Sequence, residues 1–357
     1  MRIDSIKIVN FRNLNSLSLA FAPEGLLVFG KNGIGKTNLL EAIAFFSFGK
    51  SFRITNDYDA IEFGKQEFMI EASFYVHSSK KNIKIYVSAN KKVIKIDGQV
   101  VKRTNELYKF VKAVYFSPSD IDIPQGYPNN RRRFFDIAIT QYRYSYLEAL
   151  KQFKNILKQR NALLKKGYQQ FEKDIWDKQY IAITKTIILE RLAYLEQFNS
   201  ELKKYYNAIS GQKEDISVLY HPSYPNSADK IEEILNEELT KKQNEERILQ
   251  RTLFGAHLHD YIFKINNLSL KKFGSQGQKR SFVIALRLAQ AKLIRLSNND
   301  TPILIFDDIL SELDSIRTLN IFNLLEKTHQ IFIATPNKES YNSFNIPTLN
   351  LETTLTK

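Results

Sequence analysis

The stretch LLVFGKNGIGKTNLL, residues 26–40, decides how this chain is read. Glycine is scarce, 13 among 357 residues, yet Gly30, Gly33 and Gly35 fall within six positions. An apolar run that reads as a strand precedes them, and a helical run, NLLEAIAFF, follows. GKNGIGKT satisfies G-x-x-x-x-G-K-[ST] in the strand-then-helix setting that a phosphate-binding loop requires. Glycines let the backbone turn with positive φ and bring N–H groups onto phosphates without a Cβ in the way. The helix that starts near Lys36 aims its unpaired N–H groups at the same anion. Gly30, Lys31, Asn32, Gly33, Ile34, Gly35, Lys36, Thr37 and Asn38 are therefore the candidate nucleotide cradle. Lys36 is placed to reach the β- and γ-phosphates, and Thr37 to offer a hydroxyl to Mg²⁺. A strand-to-helix turn that merely needs glycine is the competing explanation.

A second acid is needed for such a metal, and ILIFDDILSELD supplies one. The apolar strand Ile303–Phe306 ends in Asp307 and Asp308. Asp307 is expected in the Mg²⁺ shell, and Asp308 is expected to accept a proton from the attacking water. Lys36 and Asp308 are thus the catalytic candidates, Thr37 and Asp307 the metal candidates. SELD, residues 311–314, follows closely.

FGSQGQKR, residues 273–280, precedes the helical run SFVIALRLAQAKLI. Its S-x-G-Q core matches the signature motif of ABC-type ATPases. Ser275, Gly277 and Gln278 at a helix N-terminus make a second γ-phosphate site. In that class such residues close over ATP held by the P-loop of another protomer, which implies an ATP-dependent homodimer.

Composition bounds the class. Hydrophobic residues make up 43% and charged residues 25%, a globular profile. No apolar run approaches the ~18 residues of a membrane span; FVIALRLAQAKLIRL is cut by Arg287 and Lys292. MRIDSIKIVNFRN alternates like a strand and has no apolar signal core. Cysteine is absent, which excludes disulfides and thiolate metal sites. A cytoplasmic protein without membrane contact is expected. Net charge is +14, which suits an anionic partner, although lysine inflation by an AT-rich genome produces the same excess. Between Lys80 and Lys112 ten residues are basic and two, Asp97 and Glu106, acidic, so the excess is concentrated there.

The chain reads in three parts. Residues 1–120 form the N-terminal part of an ATPase lobe and are rich in strands. SLSLAFAPEGLLVFG looks like a hairpin, and IDG supplies a turn within NIKIYVSANKKVIKIDGQVV. Residues 121–245 form an inserted helical lobe. One apolar face comprises Leu147, Leu150, Phe153 and Leu157. Another comprises Trp176, Tyr180, Ile183, Ile187, Leu192, Leu195 and Phe198, with Gly167 as a break between them. YHPSYPNSADK, residues 220–230, is a loop. Residues 246–357 return to alternation, with PILIFDD and QIFIAT as strands, and complete the ATPase lobe. The fold class is α/β, an ABC-type P-loop ATPase head with a mixed sheet, helices and an inserted, mostly helical lobe.

VNFRN, GKNGIGKTNLLEAI, GKSFR and FSPSDIDIPQGYPNNRRRFFD (residues 116–136) together resemble the RecF family of bacterial recombination mediators. FGAHLHD matches a family segment at Gly255, His257 and Asp260, but not at Ala256 or His259. The likeness is collinear over roughly residues 5–315 and implies an ATP-controlled clamp on gapped DNA and single-strand/double-strand junctions. It implies partnership with RecO and RecR in placing RecA, a weak DNA-stimulated ATPase, and a part in replication, recombination, repair and the SOS response to DNA damage. The sequence departs from many ABC ATPases after its last strand: IFIATPN places Thr335 and Pro336 where a γ-phosphate-sensing histidine stands, so slow hydrolysis is expected. His257, His259 and Asp260 also suggest a metal, but two histidines without a third strong ligand are more often structural. Arg131, Arg132 and Arg133 suit a contact with phosphate, a contact with the partner subunit, or a solvated helix start. Two other classes fit less well: an SMC or Rad-like chromosome ATPase needs far longer helices, and a transporter ATPase lacks the 116–136 block.

Overall fold

Period-two alternation builds the first sheet. In this computed structural model, which describes residues 1–355 apart from 77–78, 102–103, 212, 299, 310–312, 326–328, 337 and 339–344, β1 (Arg2–Phe11) and β2 (Leu14–Ala20) form a hairpin around Arg12 and Asn13. β3 (Gly25–Phe29) leads through the glycine-rich loop into α1 (Lys36–Phe48). β4 (Glu67–Val76), β5 (Ser79–Ser88), β6 (Lys92–Ile96) and β7 (Gln99–Val100) follow as an antiparallel meander, and then β8 (Ala113–Phe116). Next come α2 (Asp122–Gln125), α3 (Pro128–Tyr142), α4 (Tyr144–Lys166), α5 (Gln170–Ser210), β9 (Ile216–His221), α6 (Ala228–Leu249), β10 (Asp260–Ile265), β11 (Leu268–Ser269) and α7 (Leu270–Phe273). The chain closes with α8 (Gln276–Asn298), β12 (Ile303–Asp307), α9 (Ser315–Leu324), β13 (Ile331–Thr335), β14 (Thr348–Asn350) and α10 (Leu351–Leu355).

The chain divides into two compact units. The first holds Met1–Asp120, Ala208–Gly211 and Arg280–Lys357, and the second Ile121–Asn207 and Gln212–Lys279. Residues 246–279, expected with the ATPase lobe, group with the second unit. The reason is pairing: β10 carries Asp260–Ile265 alongside His221–Ile216 of β9, so its hydrogen bonds are spent inside the insert.

The first unit contains two sheets. The antiparallel one has the order β2-β1-β4-β5-β6-β7. Ile6, Ile8, Phe68, Ile70, Phe74, Ile83, Ile85 and Ile94 share one buried core with Leu39, Leu40, Ile43 and Phe46 of α1. The other sheet is parallel, in the order β14-β3-β13-β12-β8. Its strands Ile303–Asp307, Ile331–Thr335 and Ala113–Phe116 are buried at every position, as an unbroken apolar run in a parallel sheet demands. That demand also corrects the expected hairpin at SLSLAFAPEGLLVFG. β2 alternates and pairs with β1, whereas β3 is an apolar run that pairs with β13 and β14. The IDG turn is as read: Ile96 faces Gln99, and Asp97 (φ 49°) and Gly98 (φ 81°) make the two-residue loop.

The second unit packs helices on the antiparallel sheet β11-β10-β9. Phe135 of α3 stacks on Tyr261 of β10 with centroids 3.9 Å apart. Gly167 ends α4 with φ 80°. The buried face of α4 is Tyr146, Leu150, Phe153, Ile156, Arg160 and Leu164, so Leu147 and Leu157 lie beside it and not on it. On α5, Tyr180, Ile183, Ile187, Leu195 and Phe198 are buried, and Trp176 and Leu192 half-buried. The loop begins at Pro222, because Tyr220 and His221 still belong to β9.

Candidate nucleotide-binding site

β3 delivers the chain into a loop that only glycine can follow at its tightest point. Gly35 has φ 115°, and a Cβ there would stand 2.6 Å from Asn13 Oδ1. Asn13, in the β1–β2 turn, straps this loop from outside. Its Nδ2 donates to Gly33 O at 3.2 Å, and its Oδ1 accepts from Asn38 Nδ2 at 2.8 Å. Lys36 is 8% exposed, and its ammonium donates to Gly30 O at 2.7 Å and Lys31 O at 2.9 Å. Burial lowers the pKa of this ammonium against the pull of Asp308, Asp307 and Glu352. On the other side of the same loop the Lys31 N–H donates to Glu352 Oε1 at 2.7 Å.

Asp307 ends β12 next to α1. Thr37 Oγ1 donates to Asp307 Oδ1 at 2.8 Å, and the Tyr115 hydroxyl of neighbouring β8 donates to Oδ2 at 2.6 Å. Burial raises the Asp307 pKa and outweighs the two hydroxyl bonds that favour the carboxylate. Burial, reinforced by Asp307, holds the Tyr115 phenol well above its ordinary value. Asp308 leaves the strand at φ 55°, its N–H bonded to Ala334 O at 3.1 Å. A charged brace stands behind: buried Glu41 of α1 accepts a two-pronged contact from Arg12 at 2.9 and 3.1 Å and a third from Arg53 at 3.1 Å. Arg53 also reaches Asn38 Oδ1 at 2.9 Å, which joins the brace to the Asn13 strap.

In the second unit the signature residues form a capping box. Gln278 N donates to Ser275 Oγ at 3.1 Å, and Ser275 N donates to Gln278 Oε1 at 2.8 Å. Gln278 Nε2 is held in turn by Glu214 Oε1 at 2.7 Å. Ser275 is exposed and Gly277 half-exposed at the start of α8. Thr335 is buried at the end of β13 and Pro336 follows it exposed. Ser311 and Glu312 of SELD lie outside the described residues.

The remaining candidates separate cleanly. His259 has its two ring nitrogens at 2.7 Å from the Tyr220 hydroxyl and 3.2 Å from that of Tyr224. His257 sits against the Tyr180 hydroxyl and Thr252 O, and burial lowers its pKa to about 4. Asp260 is gripped by Arg131 at 2.7 and 2.8 Å. These are structural partners, and no metal-binding group of three such residues occurs among the described residues. Arg131 also donates to Gly126 O, and Arg132 to His259 O; Arg133 is exposed. The basic window is less free than its composition suggests. Lys80, Lys81, Lys84, Lys92 and Lys112 are ion-paired with Asp4, Asp97, Glu71, Asp57 and Asp300. Lys91 and Lys95 are exposed, and Lys102 and Arg103 lie outside the described residues. Sequence reasoning did not assign roles to Asn13, Glu41, Tyr115 or Glu352. VNFRN and GKNGIGKTNLLEAI contain the first two through family likeness, while Tyr115 and Glu352 carry no local pattern.

Residues 2–349 match the family described as RecF/RecN/SMC N terminal domain. The DNA replication and repair protein RecF of Geotalea daltonii is 33% identical over 346 residues, covering 96% of this chain and 95% of that protein. That of Ruminiclostridium cellulolyticum is 35% identical over 355 residues, covering 96% and 94%. The solved structure of the recombination mediator protein RecF-ATP in the RecFOR pathway is similar with a TM-score of 0.88 at 32% identity, covering 94% of this chain and 92% of that one. An SMC head bound to the C-terminal winged-helix domain of ScpA shares the fold, with a TM-score of 0.56 at 13% identity, covering 95% and 90%.

Proposed function

The chain belongs to the RecF/RecN/SMC N-terminal domain family, among its RecF proteins, and on that premise we propose that it is an ATP-controlled clamp on DNA. One observation carries the nucleotide part. Thr37 and Asp307, 270 positions apart in sequence, meet at 2.8 Å beside the Lys36 ammonium. ATP would lie with its β- and γ-phosphates on the amides of residues 33–38 and on Lys36, Gly30 to Ile34 forming the rim. Thr37 and Asp307 offer hydroxyl and carboxylate oxygens, the hard donors Mg²⁺ takes, with phosphate oxygens and water completing its shell. Bound there, the metal would supply charge neutralisation at the phosphates. Asp308, just past the strand, accepts the proton of the attacking water. Thr335 and Pro336 offer no imidazole at the strand end, which supports slow turnover with ATP acting as a latch.

Ser275, Gly277 and Gln278 would close on the γ-phosphate bound to a second copy, giving an ATP-dependent homodimer. The joined basic surfaces would hold the phosphate backbone of gapped or junction DNA, weakly stimulating hydrolysis. RecR and RecO would be its partners in placing RecA, in the cytoplasm. The likeness to a protein solved as RecF-ATP in the RecFOR pathway supports this assignment. Likeness to the SMC head is one of fold alone.

Sedimentation with and without ATP tests the reading. Asp308→Asn should accumulate as dimer with ATP, Ser275→Arg should bind ATP and stay monomeric, and Lys36→Ala should lose both ATP and dimer. Wild-type behaviour of Lys36→Ala sinks the P-loop assignment; wild-type behaviour of the other two sinks the sandwich.

A further inference from the structure

Lys36 does not find its own place. Its ammonium rests on two carbonyls, and one of them, Gly30 O, belongs to the same peptide unit as the Lys31 N–H. In a trans peptide the C=O and N–H point in opposite directions. The Lys36 ammonium therefore holds one side of this unit, and Glu352 Oε1 at 2.7 Å holds the other. Gly30 sits at φ 143°, where a glycine backbone turns at little cost. Without an acceptor outside, the 30–31 peptide is free to rotate and to take the carbonyl away from the lysine.

Glu352 is well placed for this. It is the second residue of α10, just after β14, whose residues 348–350 pair with residues 27–29 of β3. The strand that launches the P-loop and the strand that delivers Glu352 are thus locked in register. The Glu352 side chain also covers Gly30 itself, with Cγ 3.5 Å and Oε1 3.6 Å from where a Cβ would stand.

We propose that Glu352 is a positioning residue for the nucleotide reaction: it orients the Gly30–Lys31 peptide so that Gly30 O holds the Lys36 ammonium in line with the phosphates. The proposal rests on the P-loop reading above. Glu352 acts through the peptide and touches no phosphate. It acts by its hydrogen bond and not by its charge.

The test separates hydrogen bond from charge. Glu352→Gln keeps an acceptor oxygen at the same reach without the charge, and Glu352→Asp keeps the charge but withdraws it by one methylene. ATP affinity, measured by calorimetric titration, should stay within about twofold of wild type in Glu352→Gln and weaken roughly fivefold in Glu352→Asp. In a Lys36→Arg background, where the peptide no longer seats an ammonium, the effect of Glu352→Asp should shrink to less than about twofold. The reverse pattern, Asp as wild type and Gln altered, overturns the proposal, as does an undiminished effect beside Lys36→Arg. Lys36→Ala is the control for the underlying reading. If it retains ATP, the P-loop assignment falls; if it loses ATP while Glu352→Asp binds normally, only the role of Glu352 falls.

Discussion

Glu246 in the second unit and Asp307 in the first are both buried carboxylates, and their surroundings are opposites. Glu246 is fully buried and receives a fork from Arg160 at 2.6 and 3.0 Å and the Leu253 N–H at 2.9 Å. Arg160, also fully buried, reaches Asp177 at 2.8 Å, and Asp177 takes Lys173 at 2.5 Å. Two cations and two acids close this group on itself. Asp307 receives two neutral hydroxyls, and no ion pair reaches it among the described residues. The difference belongs to the site and not to the unit, since Glu41, close by in the first unit, is matched by Arg12 and Arg53. Buried charge that is neutralised in place holds architecture together. Buried charge with no ion pair in contact, felt only at a distance by Lys36 and Arg53, is poised for a cation that comes and goes.

The largest test of that contrast is Glu246→Ala. It leaves Arg160 sharing one acid with Lys173, so stability should drop by about 3–5 kcal/mol. Denaturant midpoints measure it, and a loss below about 1 kcal/mol would dissolve the contrast. Asp307→Asn should move stability the other way. Removing an unmatched buried charge should stabilise the nucleotide-free protein by about 1 kcal/mol while Mg²⁺-dependent turnover is lost. The sign follows from linkage: the folded-state pKa of Asp307 is raised, so the folded protein binds its proton more tightly. The wild-type penalty is absent below the unfolded pKa and grows as pH rises through the folded one. The gain from Asp307→Asn should therefore vanish in acid, and a gain constant with pH would point away from Asp307 ionisation. The smallest effect concerns the surface. Of the basic window, Lys91 and Lys95 are exposed without an ion pair among the described residues, whereas Lys84 and Lys92 are engaged. Changing Lys91 and Lys95 to Glu should lower the log–log salt slope of DNA binding by about 0.9 for each phosphate no longer neutralised, with ATP binding unchanged. An unaltered slope would make the window an inert surface.

What was legible follows the same division. The P-loop, the Asp307 strand end and the signature are local strings whose chemistry demands fixed spacing, so they stand out in one dimension. The Asp97–Gly98 turn was readable because a two-residue hairpin needs positive φ twice. Tyr115 was not, since nothing in AVYF says that β8 lies next to β12. Arg160 looks like any charged residue on a helix until Glu246, 86 positions on, is folded against it. The hairpin expected across β2 and β3 failed because sequence neighbours were taken for sheet neighbours, although one run alternates and the other does not.

The parallel sheet has one further consequence, for the chain as it leaves the ribosome. All six strands of the antiparallel sheet lie within the first 100 residues, whereas β3 and β8 wait for β12, β13 and β14, the last ending at Asn350. At bacterial elongation rates the interval from Phe116 to Asn350 lasts roughly 10–50 s. Through that time the glycine-rich loop exists as sequence, but Asp307 and Glu352 have not yet been synthesised. A nascent chain therefore has no assembled Thr37–Asp307 pair with which to capture nucleotide, and two apolar strands stand unpaired meanwhile, a natural point of engagement for chaperones.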